Sequence, residues 1–300
     1  MVERQVVREV SYAGAVTSRS GRVIVRALEN ATGRLRLIRR AAGYDGEVAQ
    51  GRDFWQVICD RYGLSLELSG GSLDHIPQDG PLVIVANHPY GILDGLMMGR
   101  ILSERRGGDF RIMAHGVFRR SPDLARVILP IRFDGSKEAL RENLAMREEA
   151  LRYLGAGGAI GVFPGGTVST AARPFDLPLD PLWRTFTARM IARSGASVVP
   201  VFFEGNNSRL FQIASHVHYT LRLGMLIREF GTRVGTPVRV VVGRPVPRAR
   251  LEPLRGEPKA LMDFLRKSTY DLSPRPLPSN RLGYEFEAKY RKASDGGRDL

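Results

Sequence analysis

Residues 81–95 read PLVIVANHPYGILDG: an apolar run, a turn and the start of a second apolar stretch. The run at 82–86 predicts a buried strand, and the Asn-His-Pro sequence after it predicts a turn. Asp94 then stands near the start of a helix. An aspartate that accepts a hydrogen bond from the Nδ1–H of a histidine fixes its tautomer and leaves Nε2 as a general base. The spacing therefore predicts a catalytic pair, His88 and Asp94.

A histidine and an aspartate this close also occur by chance, with the aspartate acting only as a helix cap. Three further segments favour the catalytic interpretation. Residues 129–134, 159–169 and 197–203 each read as a short apolar strand that ends in a turn marked by Pro or Gly and carrying polar groups.

In this order, the four segments resemble the four sequence blocks of the glycerolipid (lysophospholipid) acyltransferase superfamily. Those blocks are Asn-His with a downstream Asp, an Arg block, Phe-Pro-x-Gly-Thr and Val-Pro-Val. The resemblance spans about 80–205 and is nearest to the hemolysin-like branch, whose members include acyltransferases that make ornithine lipids.

Two departures from the family pattern bear on the site. Five residues separate His88 from Asp94, where most of the superfamily has four, and Gly91 supplies backbone freedom for the longer turn. The third block usually reads Phe-Pro-Glu-Gly-Thr-Arg-Ser, whereas this chain has Gly165 for the Glu and Val168 for the Arg. The loss of both charges argues against the ordinary acceptor, a lysolipid with a glycerol-phosphate head. Consecutive glycines, in turn, leave N–H groups free to face an anion.

The resemblance implies an O-acyltransferase of lipid biosynthesis and phospholipid metabolism. Such an enzyme moves a fatty acyl group from acyl-CoA or acyl-ACP to the hydroxyl of a lysolipid-type acceptor at the membrane surface. His88 would be the general base, Asp94 would orient it, and Arg132 would neutralise a phosphate or carboxylate of the acceptor. The alternative for Arg132 is an exposed arginine after a strand. The resemblance implies no metal and no cofactor beyond the thioester. The expected substrate-binding residues are Asn87, Gly91, Arg132, Gly165, Gly166 and Thr167.

Apolar strands alternate with helical stretches at 136–153, 181–194 and 258–268. The alternation predicts a single α/β domain with a mixed, mainly parallel central sheet flanked by helices. In such sheets, sites form at the carboxyl ends of strands. We expect the domain at 51–272, after a basic amphipathic N-terminal segment at 1–50 and before a loosely packed C-terminal tail at 273–300.

The net charge of +14 favours anionic partners, and only five of the 45 basic residues are lysine. Arginines are concentrated at 22–40, where an apolar residue recurs every three to four positions. This pattern predicts a basic amphipathic helix, weakened at Thr32-Gly33, that lies on a membrane or packs its apolar stripe on the domain. The residues of the expected stripe are Ile24, Leu28, Ala31, Leu35 and Ile38.

Nucleic acid is not an expected partner, because no nucleic-acid-binding motif is present and aromatic residues make up only 8 %. Cys59 has no second cysteine to pair with, and no apolar run approaches 18 residues. We therefore expect a peripheral protein at the cytoplasmic face of the inner membrane. The alternative is a catalytically silent membrane-binding relative, in which Asp94 would not reach His88. The acceptor, the acyl length and the donor carrier stay open.

Overall fold

The computed structural model describes residues 11–16, 18–132 and 136–287. Helices cluster at the N-terminal end, and from residue 65 onward strands and helices alternate. In chain order the helices and strands are α1 (Arg19–Ala31), α2 (Arg34–Ala41), α3 (Tyr44–Ala49), α4 (Phe54–Tyr62), β1 (Ser65–Gly71), β2 (Leu82–Ala86), α5 (Ile92–Arg106), β3 (Phe110–His115), α6 (Pro122–Ala125), β4 (Ile128–Ile131), α7 (Lys137–Gly155), β5 (Ala159–Val162), β6 (Thr170–Ala171), β7 (Pro178–Leu179), α8 (Thr185–Ser194), β8 (Ser197–Phe203), α9 (Arg209–Val217), α10 (Tyr219–Arg233), β9 (Pro237–Val242), α11 (Arg248–Leu251) and α12 (Pro258–Tyr270). Short 3₁₀ turns lie at Tyr12–Ala15, Leu73–His75, Gly116–Arg120 and Glu252–Leu254.

Seven strands form one sheet in the order β1-β9-β8-β2-β5-β3-β4. Every neighbouring pair is parallel except β8 and β9. The prediction of a mixed, mainly parallel sheet is confirmed. The strands β8, β2 and β5 are adjacent, so the segments that follow them emerge side by side at one edge.

Helices cover both faces of this sheet, which explains why its central strands are continuous apolar runs rather than alternating ones. All five residues of β2 are buried. One apolar core joins residues of α1, α2, α4, α5 and α10, while a second joins α7, α8 and α12 on the opposite face. The helices predicted at 136–153, 181–194 and 258–268 correspond to α7, α8 and α12.

The basic N-terminal segment is helical, with its break at the predicted weak point, but its packed stripe differs from the predicted one. It breaks into α1 and α2 at Gly33, whose φ of +110° is favourable only for glycine. The stripe that packs on the domain contains Val25 and Leu37, because α1 lies against α10. Ile24 and Leu35, which the sequence placed on that stripe, are instead 47 % and 52 % exposed.

The C-terminal tail also differs from the prediction of loose packing over its described part, 273–287. The backbone N–H of Gly283 donates to Asp180 O at 2.9 Å, and the N–H of Tyr284 donates to Thr170 O at 2.9 Å. Arg184 donates to both carboxylate oxygens of the buried Glu285, at 2.8 and 3.0 Å. These bonds fix the tail to the β6–β7 hairpin. The rest of the predicted tail, 288–300, lies outside the described residues, as do 1–10 and 17 of the N-terminal segment.

Candidate active site

His88 and Asp94 meet at the carboxyl end of β2. His88 lies in the turn after the strand, and Asp94 is the third residue of α5. The longer spacing is absorbed by Gly91, whose φ of +92° and ψ of −110° lie in a region that residues with a Cβ rarely adopt. The imidazole Nδ1 is 2.9 Å from Asp94 Oδ2, within hydrogen-bond distance although off the ideal direction. The turn therefore brings the two predicted catalytic residues together.

The Asp94 carboxylate is completely buried. Its Oδ2 atom also accepts hydrogen bonds from the backbone N–H groups of Tyr90 at 2.8 Å and Gly91 at 2.9 Å. Burial raises the pKa of Asp94, while the His88 contact and the two amides oppose that rise. The imidazole is 18 % exposed, and Nε2 bonds no acceptor or donor among the described residues. That nitrogen is the one available to a substrate.

Neighbouring segments hold the His88 ring and backbone in place. The ring stacks on Phe163 with centroids 4.2 Å apart and planes 23° apart. The His88 N–H donates to Asp180 Oδ1 at 3.2 Å, and its carbonyl accepts from the N–H of Ser169 at 2.7 Å. The turn after β2 is thereby tied to the turn after β5.

The glycine turn, residues 163–168, follows β5 beside His88. The N–H of Gly166 donates to Phe163 O at 3.0 Å, and its φ is +70°. The N–H groups of Gly165 and Thr167 donate to no acceptor within the described part of the chain. Two backbone donors are therefore free at the turn where the sequence predicted an anion-binding glycine pair.

Asp180 is a buried acid of this site that sequence reasoning missed. It accepts hydrogen bonds from Ser169 Oγ, from Trp183 Nε1 at 2.9 Å and from the His88 backbone. A Cβ atom built on Gly165 would lie 3.4 Å from the Cβ of Asp180. The hairpin of β6 and β7 returns Asp180 to the turn, and the sequence around it carries no motif that would have shown this.

Arg222 is a buried arginine on the other side of the glycine turn, and sequence reasoning missed it as well. Its guanidinium donates to Thr167 Oγ1 at 3.1 Å, to Val168 O at 2.8 Å and to Thr170 Oγ1 at 2.6 Å. It further donates to Ser215 Oγ at 3.0 Å, and burial lowers its pKa to about 10. One signal existed: Arg222 lies at helical spacing with Leu226 and so falls on the apolar face of α10.

Two of the predicted substrate-binding residues have other partners in the structure. Asn87 donates from Nδ2 to Phe203 O at 2.9 Å and accepts from the N–H of Phe203 at 2.7 Å, joining β2 to β8. Arg132 follows β4, three strands and about 14 Å from β2. Its guanidinium pairs with Glu142 at 3.0 Å. The rest of the arginine block, 133–134, lies outside the described residues. Substrate contact by Asn87 and Arg132 stays a prediction.

Comparison with known proteins gives three matches of interest. Residues 45–275 match the family model described as Acyltransferase. The lyso-glycine lipid O-acyltransferase of Phocaeicola vulgatus is 26 % identical over 210 residues, which cover 68 % of this chain and 72 % of that protein. The lyso-glycine lipid O-acyltransferase of Bacteroides thetaiotaomicron is 26 % identical over 204 residues, covering 66 % and 71 %.

Among solved structures, the crystal structure of the 1-acyl-sn-glycerophosphate acyltransferase PlsC from Thermotoga maritima matches with a TM-score of 0.47 and 17 % identity. The match covers 86 % of this chain and 99 % of that one.

Proposed function

The chain belongs to the acyltransferase family, and from that premise we propose that it transfers a fatty acyl group from an acyl thioester to the hydroxyl of a lysolipid. The observation that carries the proposal is the 2.9 Å contact between His88 Nδ1 and the buried Asp94 carboxylate. The names of the two relatives support a lysolipid acceptor and an O-linked product. The donor is acyl-CoA or acyl-ACP.

His88 acts as the general base in this reaction. Its Nε2 takes the proton of the acceptor hydroxyl while the hydroxyl oxygen attacks the carbonyl carbon of the thioester. The tetrahedral intermediate then collapses, the C–S bond breaks, and the leaving thiolate takes the proton back from the imidazolium. No nucleophilic side chain is needed, because the thioester is already activated.

Asp94 and the glycine turn stabilise the charges that develop. Asp94 orients the imidazole, keeps the proton on Nδ1 and stabilises the imidazolium as it forms. The free N–H groups of Gly165 and Thr167 donate to the oxyanion of the intermediate. The stacked Phe163 ring covers one side of the imidazole and limits access of water.

The silent relative is the competing hypothesis, and it requires an Asp94 that is turned away from His88. The observed contact, and the two backbone amides that hold the carboxylate in place, support the active enzyme instead.

We place the reaction at the cytoplasmic surface of a membrane. None of the helices that the structure describes is long and apolar enough to cross a bilayer. Val23 on α1 and Leu35 on α2 are 69 % and 52 % exposed, among the arginines of the N-terminal segment. Exposed apolar residues beside cationic ones favour binding to anionic lipid. The net charge of +14 also suits an acidic acyl carrier protein as donor.

The test is mass spectrometry of the lipids of a host that expresses the wild-type chain, His88→Ala or His75→Ala. His75 is a matched control, because its Nδ1 contacts Val242 O, away from the His88–Asp94 pair. We expect one lipid class to gain an acyl chain with the wild type and with His75→Ala. Loss of a general base lowers the rate about 10²–10⁴-fold, so His88→Ala should abolish that gain. The same gain with a folded, equally abundant His88→Ala protein would contradict the mechanism.

A further inference from the structure

A cavity of about 500 Å³ lies next to the turn after β2, and Ser169, the residue directly after the glycine turn, is among its lining residues. Asn87 and Tyr90 form one wall, and the loop after β8 and the start of β9 form another. Because β9 runs antiparallel to β8, its first residues lie at the edge where β2 and β8 end. The cavity is therefore at the same edge of the sheet as His88. Its size is typical of a small-ligand site.

The walls of the cavity combine positive charge with apolar surface. Its charged residues are three arginines, at 233, 239 and 275, and one acid, Glu204. Leu93 and Phe202, both buried, contribute apolar surface. A molecule with an anionic group and a hydrocarbon part is complementary to such walls.

The arginines of the cavity differ in whether an acidic residue of the protein already pairs with them. Arg239 pairs with Glu67 at 3.1 Å, and the acid Glu204 accepts a hydrogen bond from Ser69. The guanidinium of Arg233 lies 4.5 Å from the centre of the Tyr90 ring, with one donor on Asn206 O at 3.3 Å. No carboxylate of the described residues lies within ion-pair distance of Arg233. The Tyr90 ring positions the Arg233 guanidinium, and its positive charge is available to a ligand.

We propose that this cavity binds the anionic head group of the acyl acceptor and that Arg233 binds the negative charge of that group. The proposal rests on the proposed function, because it assigns the acceptor of the same site. The anion is a carboxylate or a phosphate, since both match the forked donors of a guanidinium. Arg275, at the cavity wall, supplies a second cation.

The position of Arg233 links this recognition to the chemistry. Arg233 stacks on Tyr90, which is two residues beyond His88 and whose backbone N–H holds Asp94. An acceptor anchored by its anion at Arg233 is thus held against the same turn that carries the general base. The apolar residue Leu177, which lines the cavity and is 45 % exposed, gives the hydrocarbon chain a way out to the surface.

The experiment compares wild type, Arg233→Gln and the control Arg255→Gln with three acceptors. These are a long-chain N-(3-hydroxyacyl)glycine, its uncharged glycinamide analogue and a 1-acylglycerol 3-phosphate. Hydrogen bonds to charged groups are worth enough to change affinity about tenfold or more. We expect Arg233→Gln to raise the KM for at least one anionic acceptor about tenfold, with kcat within about twofold and the glycinamide unaffected. Arg255→Gln, at an arginine outside the cavity that pairs with Glu252 at 3.2 Å, should leave all KM values within about twofold.

The identity of the affected acceptor distinguishes a carboxylate from a phosphate head group. An unchanged KM for both anionic acceptors in Arg233→Gln, or an equal rise for the glycinamide, would overturn the assignment. A binding measurement distinguishes a failure of this assignment from a failure of the proposed function. It compares the affinity of the N-acylglycine for His88→Ala with its affinity for the double variant His88→Ala and Arg233→Gln. If the wild type acylates no acceptor, Arg233-dependent binding still supports the cavity, and Arg233-independent binding or none rejects it.

Discussion

Gly165 and Asp180 are neighbours across the glycine turn: a Cβ atom at position 165 would lie 3.4 Å from the Cβ of Asp180 and 3.5 Å from its Cγ. The family block that this turn resembles carries a glutamate at the position of Gly165. In this chain a carboxylate fills the adjoining space from a different segment. A Cβ at position 165 would be in van der Waals contact with the Asp180 side chain.

Asp180→Ala should lower the activity, and a second substitution, Gly165→Glu, should restore part of it. Removal of the carboxylate leaves the Trp183 Nε1–H and the His88 N–H without an acceptor, at about 1–3 kcal/mol for each buried donor. We expect kcat to fall at least about tenfold, as His88 shifts. In the double variant, a glutamate enters the space that Asp180 vacated.

The matched control for this rescue is Gly165→Glu alone. It places two carboxylates in one buried site and should lower both kcat and the melting temperature. Kinetics and thermal melts of the three variants decide the matter. No gain of the double variant over Asp180→Ala would mean that the position of the acid, and not only its presence, is required.

Arg222→Met should affect catalysis more than stability. The variant removes a buried charge, and partners of Arg222 keep another hydrogen bond: Thr170 Oγ1 donates to Val168 O, and Ser215 Oγ donates to Phe211 O. It also frees the glycine turn, whose displacement by about 1 Å can cost about 10²-fold in rate. We expect kcat to fall about 10–100-fold with little change in acceptor KM. A fall in melting temperature with unchanged kcat would assign Arg222 a purely structural role.

Asp94→Asn should abolish activity and stabilise the fold at neutral pH. An asparagine oxygen at the Oδ2 position keeps the hydrogen bonds from the Tyr90 and Gly91 N–H groups but carries no charge to stabilise the His88 imidazolium, which lowers the rate about 10²–10⁴-fold. Burial raises the pKa of Asp94 in the folded protein, so the wild type is destabilised as the pH rises above the unfolded pKa. Asparagine avoids this cost at every pH.

The melting temperature of Asp94→Asn relative to wild type should therefore be highest near pH 7 and fall as the pH approaches about 4, the range of an unfolded aspartate. About 1 kcal/mol corresponds to roughly 2–4 °C in a domain of this size. Differential scanning calorimetry of both proteins at several pH values measures the difference. A difference that grows in acid would mean that His88 and the two amides outweigh burial.

Gly283→Ala tests the attachment of the tail. A Cβ at this position would overlap the carbonyl oxygen of Leu179, a backbone atom that cannot move aside. Overpacking of this kind costs about 1–3 kcal/mol and should also displace Asp180, to whose carbonyl the N–H of Gly283 donates. We expect a lower melting temperature and a lower kcat. Gly231→Ala, in open space on α10, is the control and should be neutral or slightly stabilising.

Val23→Glu combined with Leu35→Glu should weaken binding to vesicles that contain anionic phospholipid. Both side chains are exposed, and replacing them with acids removes apolar area and adds repulsion from the surface. We expect the partition coefficient to fall about tenfold or more in co-sedimentation. Leu140→Glu, on α7 at the opposite face of the sheet, is equally exposed and should bind like wild type. Equal losses for both proteins would argue against a specific membrane face.

The pattern of the sequence was sufficient for the sheet and for the contact between His88 and Asp94. Continuous apolar runs such as 82–86 identify strands covered on both faces, and their alternation with helices leads to a mainly parallel sheet. The sequence pattern was less informative for the N-terminal segment. There, apolar residues occur on more than one side of the helix, so the pattern alone does not show which side packs on the domain. Packing of α1 against α10 selected Val25 rather than Ile24.

The contact between His88 and Asp94 was determined by the local sequence. A strand end, a glycine turn and a helix start fix the relative positions of two residues that are six positions apart. The surroundings of the pair were decided only by the tertiary structure. Asp180 binds the His88 backbone across 92 positions of the chain, and Arg222 binds Thr167 across 55. Such contacts leave no local periodicity in the sequence, since they depend on the order of strands in the sheet and on how the hairpin and α10 pack around it.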